Sequence, residues 1–175
     1  LAGRTQAFMV AQIRPQVSGI VQQRLFVEGA EVKAGEALYQ IDAAPYKAAF
    51  AQTQATAAKA RATLKSTQAT AKRDAQLAQI DAISQQDNED AQVSLQTAEA
   101  ALQVALADVE TARINLAYTR ISSPLSGRIE TSTVTPGALV VASQDTALTT
   151  VDKALNCSLW SFRIWCRAAR SRVCQ

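Results

Sequence analysis

Histidine is absent from the 175 residues, and cysteine is absent from the first 152. Cys157, Cys166 and Cys174 stand in the last stretch, together with both tryptophans, Trp160 and Trp165. The main body therefore has no disulfide framework and no metal-ligand spacing, and it contains no glycine-rich phosphate loop. Its Asp and Glu residues are scattered along what read as helix faces, where solvated surface is a better reading than paired acids and bases. No catalytic residue, metal or cofactor is expected, and the chain is read as a non-enzyme. A cysteine-free body suits an oxidising compartment, and a cytosolic coiled coil nearly as well.

Long apolar runs are missing too. No stretch of 18 apolar residues occurs, and no signal peptide precedes Leu1, which already stands in strand-like sequence. A start at Leu rather than Met favours loss of a targeting segment over a cytosolic protein. Excess charge is also lacking in the main body. The net charge is +3, but residues 153 to 175 hold Lys153, Arg163, Arg167, Arg170 and Arg172 with no acid, so residues 1 to 152 carry −2. A nucleic-acid partner loses its electrostatic support and is not expected.

What is present begins with a weak internal repeat at an offset of 108 residues. Val17-Ser18-Gly19 corresponds to Leu125-Ser126-Gly127, Gly29-Ala30 to Gly137-Ala138, and Val32 to Val140. Each copy reads as a short apolar strand, a glycine turn and an alternating strand, so Gly19, Gly29, Gly127 and Gly137 are expected to be the structural turns. On pattern alone, two unrelated strand-turn-strand units remain open.

Glycine and proline are both absent between Pro45 and Pro124, which makes the intervening segment strongly helical. In its second half Ala91, Leu95, Ala98, Leu102, Ala105, Val109, Ala112 and Leu116 recur at alternating steps of four and three, the seam of a coiled coil. The first half is looser: Tyr46, Phe50, Ala57, Ala60, Leu64, Ala71 and Ala78 hold the matching steps, with Thr53, Thr67 and Asp74 interrupting. The phase breaks between Ile80 and Asp87, where Ser84-Gln85-Gln86-Asp87 offers an N-cap with an acid three residues on. Two helices, about 46–79 and 86–117, are expected to form an antiparallel hairpin projecting roughly 50 Å at 1.5 Å per residue. The predicted fold class is mixed α and β: a β-sandwich from two half-motifs, 14–42 and 120–151, interrupted by the hairpin 43–119.

The half-motifs resemble the lipoyl/biotinyl fold, except that residues 43 to 119 occupy the place of the short hairpin that presents a modified lysine in carrier domains. With a helical insert, the sequence resembles the periplasmic adaptor, or membrane fusion, family of resistance-nodulation-division (RND) efflux pumps. The resemblance is carried by Arg14-Pro15-Gln16-Val17-Ser18-Gly19, by Glu28-Gly29 through Tyr39-Gln40-Ile41-Asp42, and by Ala82-Ile83-Ser84-Gln85-Gln86. It continues through the segment from Thr111 to Arg120, Ser123-Pro124-Leu125-Ser126-Gly127-Arg128-Ile129 and Val134-Thr135-Pro136-Gly137-Ala138-Leu139-Val140. Coverage is nearly continuous from Gly3 to Val151.

This resemblance implies a periplasmic, inner-membrane-associated adaptor whose partners are an outer-membrane channel, an inner-membrane RND transporter and other adaptor copies. In such adaptors a tip arginine, a leucine four residues on and a serine eleven residues on meet the channel, a spacing found here in Arg73, Leu77 and Ser84. On the residues alone, a solvated arginine, a leucine packing the turn and a serine acting as a cap remain open. Residues 1–13 resemble the first strand of an incomplete β-barrel domain. Its further strands do not follow Val151, so 152–175 is expected to be an aberrant, possibly frameshifted tail, with a membrane-touching segment as the other reading. Alternatives for the whole chain are an adaptor of an ATP-driven exporter or type I secretion system, a lipoyl-type carrier, and a free-standing coiled-coil scaffold.

Overall fold

The structure, a computed structural model, describes residues 9–80 and 82–153. In chain order it contains β1 (Met9–Ile13), β2 (Gly19–Arg24), β3 (Glu31–Val32), β4 (Ala37–Ile41), α1 (Ala44–Ala78) and α2 (Gln85–Tyr118). After the helices come β5 (Arg120–Ser122), β6 (Gly127–Ile129), β7 (Leu139–Val140) and β8 (Thr149–Lys153). The strands form two four-stranded sheets, β1-β8-β6-β3 and β5-β4-β2-β7, so each sheet takes strands from both sides of the helical insert. Between them lies one apolar cluster that includes Ile13, Val21, Leu38, Tyr39, Ile41, Ile129, Val140, Leu148 and Val151. This is the expected split sandwich with a helical hairpin.

The repeat is real, because its two copies pair reciprocally. Gly19 faces Val140 and Ile20 faces Leu139, while Gly127 faces Val32 and Arg128 faces Glu31, the same contacts displaced by 108 residues. The loop hydrogen bonds repeat as well. The Gly29 amide donates to the Ile129 carbonyl (3.0 Å) and the Gly137 amide to the Val21 carbonyl (2.7 Å). Ser18 Oγ accepts from the Ala142 amide (2.9 Å), and Ser126 Oγ accepts from the Ala34 amide (3.0 Å), each serine capping a loop of the other half. The correspondence extends to a residue that looks anomalous by itself. Ser143 has φ +57°, where the first copy has Gly35 at +83°, and their amides donate equivalently to the Pro15 and Ser123 carbonyls (2.9 and 2.8 Å). Serine therefore keeps the left-handed turn that the repeat demands, at some steric cost.

The four repeat glycines divide into two kinds. Gly29 and Gly137 are turn residues with φ +78° and +92°. Gly19 and Gly127 are not: each opens a strand, β2 and β6, and has no left-handed backbone. Their requirement is space. A Cβ at Gly19 would lie 2.6 Å from Ile41 Cγ2, and one at Gly127 would strike the Asp152 backbone carbonyl.

Two expected boundaries also read differently. Over Met9–Ile13, the strand expected to open a separate barrel pairs with β8 and forms the edge of a sandwich sheet. The second half-motif, expected to end at 151, continues in β8 through Lys153. Residues before Met9 and from 154 onward, including most of the expected tail with its cysteines and tryptophans, lie outside the described residues.

Tyr39 joins the two halves at the centre of the core. Its ring meets Phe26 edge-on, with centroids 5.2 Å apart. Its hydroxyl lies 2.6 Å from Ser132 Oγ and donates to the Leu148 carbonyl at 3.2 Å. Burial disfavours the phenolate and raises the Tyr39 pKa above the ordinary 10.0, although the Ser132 contact works the other way.

Two outcomes are expected. Gly127→Ala forces the carbonyl of Asp152 aside and lowers unfolding free energy by about 1–3 kcal/mol, more than Gly19→Ala, whose Cβ meets only a side-chain methyl; chemical denaturation ranks the pair. Tyr39→Phe removes the hydroxyl bridge and costs roughly 1 kcal/mol at neutral pH. Because the native phenol has the higher pKa, its contribution is intact below pH 10.0 and falls as pH rises through the native value. Denaturation as a function of pH should show a shallower alkaline decline in the phenylalanine variant.

Candidate docking tip

The hairpin is rooted in the sandwich by polar contacts at both feet. Asp42 Oδ1 accepts from the Ala44 amide (3.1 Å) where α1 begins, and Pro45 sits in the first turn, where its missing N–H leaves nothing unsatisfied. Tyr46 donates its hydroxyl proton to the Ser18 carbonyl (2.7 Å). At the other foot, the Thr119 carbonyl that closes α2 accepts from the Ile41 amide (2.8 Å). The leaving and returning chains are thus tied together at one place.

Along the stalk, the expected seam is the line where α1 and α2 meet. Ala57, Ala71, Ala98 and Ala105 are buried, and the remaining seam positions are half-buried. Small side chains on this line let the backbones approach closely. The threonines that interrupt the first seam do not break it. Thr53 Oγ1 donates to the Phe50 carbonyl (2.9 Å), and Thr67 Oγ1 lies within bonding distance of the Leu64 and Thr63 carbonyls (3.0 and 3.2 Å), so neither hydroxyl is stranded between helices.

At the far end the helix turns back on its own backbone. The Leu77 carbonyl accepts from the amides of Ile80 (3.2 Å) and Ala82 (3.0 Å), which ends α1. Ser84, in extended geometry at φ −72° and ψ 153°, is the N-cap of α2: its Oγ accepts from the Asp87 amide (3.1 Å) and donates to Asp87 Oδ2 (2.7 Å). Asp87 also places a negative charge in the first turn, where the helix dipole favours it.

Arg73 is exposed on α1, Leu77 is half-buried one turn further on, and Ser84 is exposed across the turn. All three belong to the free end of the hairpin, around the reversal. Ile80, 72% exposed, adds an apolar side chain that the sequence reading did not single out as a site residue. Its signal was available: it is the position at which the heptad phase fails, so no seam claims it. Among the described residues, no group of His, Cys, Asp and Glu could hold a metal ion.

Residues 9–152 match the RND MFP barrel-sandwich hybrid domain, MFP standing for membrane fusion protein. The chain belongs to the RND membrane fusion protein family. It is 48% identical over 153 residues to the multidrug export protein AcrE of Escherichia coli strain K12, covering 87% of this chain and 40% of that protein. To the multidrug resistance protein MexA of Pseudomonas aeruginosa it is 47% identical over 153 residues, covering 87% of this chain and 36% of that protein. The chain therefore spans about two fifths of the length of these curated relatives. Among solved structures, it is similar to a MacA–MexA chimeric protein containing the P. aeruginosa MexA α-hairpin domain. That likeness has a TM-score of 0.54 and 33% identity over 85% of this chain and 49% of the other. These matches support the RND adaptor reading over an adaptor of an ATP-driven exporter and over a lipoyl-type carrier.

Removing the cap tests the local geometry of the tip. Ser84→Ala deprives the Asp87 amide of its acceptor and destabilises the start of α2 by about 1 kcal/mol. Hydrogen exchange at Asp87 and Asn88 should accelerate several-fold, while exchange in the sandwich is unchanged. Ser84→Asp, which restores an acceptor, should recover part of the protection.

Proposed function

We propose that this chain is the sandwich-and-hairpin portion of a periplasmic adaptor subunit. The subunit joins an inner-membrane RND transporter to an outer-membrane channel in a tripartite multidrug efflux pump, alongside other copies of itself. The whole protein works in the periplasm in association with the inner membrane. Its role is structural linkage rather than catalysis. Among the described residues no helix is long and apolar enough to cross a membrane, which is compatible with a part that reaches between membranes.

The observation that carries the reading is the free hairpin end. About 50 Å of antiparallel helix at 1.5 Å per residue separates it from the sandwich. It presents Arg73 exposed, Leu77 half-covered on the same helical face and Ser84 at the N-terminus of the returning helix. A guanidinium beside an apolar knob suits a groove between helices of a partner, with Arg73 donating to carboxylate or carbonyl oxygens and Leu77 filling an apolar hole. Ser84 keeps its cap and still offers an exposed hydroxyl. In this reading Ile80 adds apolar area to the same contact.

A photo-cross-linker placed in turn at Arg73, Leu77 and the exposed mid-stalk residue Gln103 tests the assignment against the channel protein. Adducts are expected from the two tip positions and not from Gln103; equal yields from all three overturn the tip assignment. Arg73→Glu should weaken channel binding by about tenfold to a hundredfold, the range for losing a charge-assisted contact at an interface.

A further inference from the structure

A groove of about 280 Å³ opens on the sandwich beside the foot of α2. Its walls come from three parts of the chain: Gln12 to Gln16 at the end of β1, Tyr118 at the end of α2, and Arg120 to Pro124 on and after β5. β1 is the end strand of one sheet and β5 the end strand of the other, so the groove lies where the two sheets present open edges. Every polar side chain on its walls can donate a hydrogen bond, and none is acidic. Arg14 and Arg120 supply guanidiniums, Gln12 and Gln16 amides, Tyr118 and Ser122 hydroxyls. Arg14 Nη2 donates to Gln12 Oε1 (3.0 Å), which steadies that guanidinium and leaves the NH2 end of the Gln12 amide to serve a ligand.

Neither arginine is balanced. Among the described residues the ion pairs are Arg24 with Glu28 and Arg113 with Glu110. Residues 1–8 and 154–175 contain no Asp or Glu, and Asp81 stands in sequence between the two helices. Two positive charges thus share one groove with no carboxylate on its walls. Ile13 and Ile121, both buried, also line it, and an apolar lining strengthens any charge contact made above it. The volume falls just below the roughly 300–1,000 Å³ of sites that enclose drug-sized molecules, so an exported drug is a poor fit and a small ion a good one.

We propose that this groove binds a small dianion, a phosphate group or a dicarboxylate, through Arg14 and Arg120, with Gln12, Gln16, Tyr118 and Ser122 as further donors. The planar guanidinium fork matches the oxygen pairs of either ligand and donates two parallel bonds to them. The bound ion joins the end of β1 to the end of α2 and to β5, and so ties the foot of the stalk to an open edge of the sandwich. The site stands at the opposite end of the hairpin from Arg73, Leu77 and Ser84, and it goes beyond the adaptor reading without depending on it.

Calorimetric titration of the full chain under reducing conditions, with inorganic phosphate and with succinate at one fixed ionic strength, tests the site. At least one of the two should bind with one-to-one stoichiometry and at least about tenfold more tightly than acetate, whose single charge engages one arginine. Arg14→Gln and Arg120→Gln should each weaken that binding by about tenfold to a hundredfold, the range for losing a hydrogen bond to a charged group. Arg14→Gln/Arg120→Gln should abolish it, Arg120→Lys should fall between, and Arg61→Gln, at an exposed position on α1, should leave it unchanged. Circular dichroism checks that each variant folds, and the single variants carry the test if the double one does not. Tighter phosphate supports one group shared by both guanidiniums; tighter succinate supports one carboxylate on each. Failure of both to bind with a Kd below about 10 mM, equal affinity for acetate, or an equal loss in Arg61→Gln overturns the proposal.

Discussion

The reciprocal pairing of two half-motifs is the constraint from which the rest of this structure follows. Neither four-stranded sheet is completed by one half alone: β2 pairs with β4 and β6 with β8 inside their halves, but β3 has its partner in β6, β7 has its partner in β2, and both sheets mix strands from before and after the helices. A chain built in this way must return to the place it left before any core can close. The pairing of the halves therefore leaves the length of the helical insert open but fixes it at its feet, where the Ile41 amide meets the Thr119 carbonyl and Tyr46 meets Ser18. An antiparallel hairpin satisfies that requirement with one reversal, and whatever its tip does happens far from the core.

Much of this was legible in the residues. The offset of 108 located the pairing partners, and the four-three spacing of alanine and leucine located the seam, because both patterns are imposed by geometry that repeats. What escaped was physics that a string of letters does not separate. Glycine marks a left-handed turn at Gly29 and Gly137 but a close backbone approach at Gly19 and Gly127, and only the neighbouring atoms tell these apart. Thr53 and Thr67 looked like interruptions because their polarity was counted, whereas their hydroxyls are satisfied by their own helix. The proposed docking tip was reached through family resemblance. Its residues are ordinary for a helix end, and Ile80, whose exposure is the plainest local signal, was seen only as a break in phase.

The stalk also separates two demands that compete in most coiled coils. Cohesion between α1 and α2 rests on small buried side chains, so the charged side chains are not needed to hold the pair together. They stay exposed along each leg. Internal packing of the stalk and the exposed side chains of its free end thus fall on different residues.

The pairing of β1 with β8 sets Met9 directly opposite Lys153. Adjacent antiparallel strands lie only about 4.8 Å apart, so the described segment is entered and left through what amounts to a single narrow neck. Mechanically, the paired strands β1 and β8 form one handle. A push or twist delivered through them reaches the sandwich as motion of a single body rather than as a wrench between separated points, and a stalk rooted in that sandwich converts a small tilt at the neck into a sweep of its tip larger in proportion to its length.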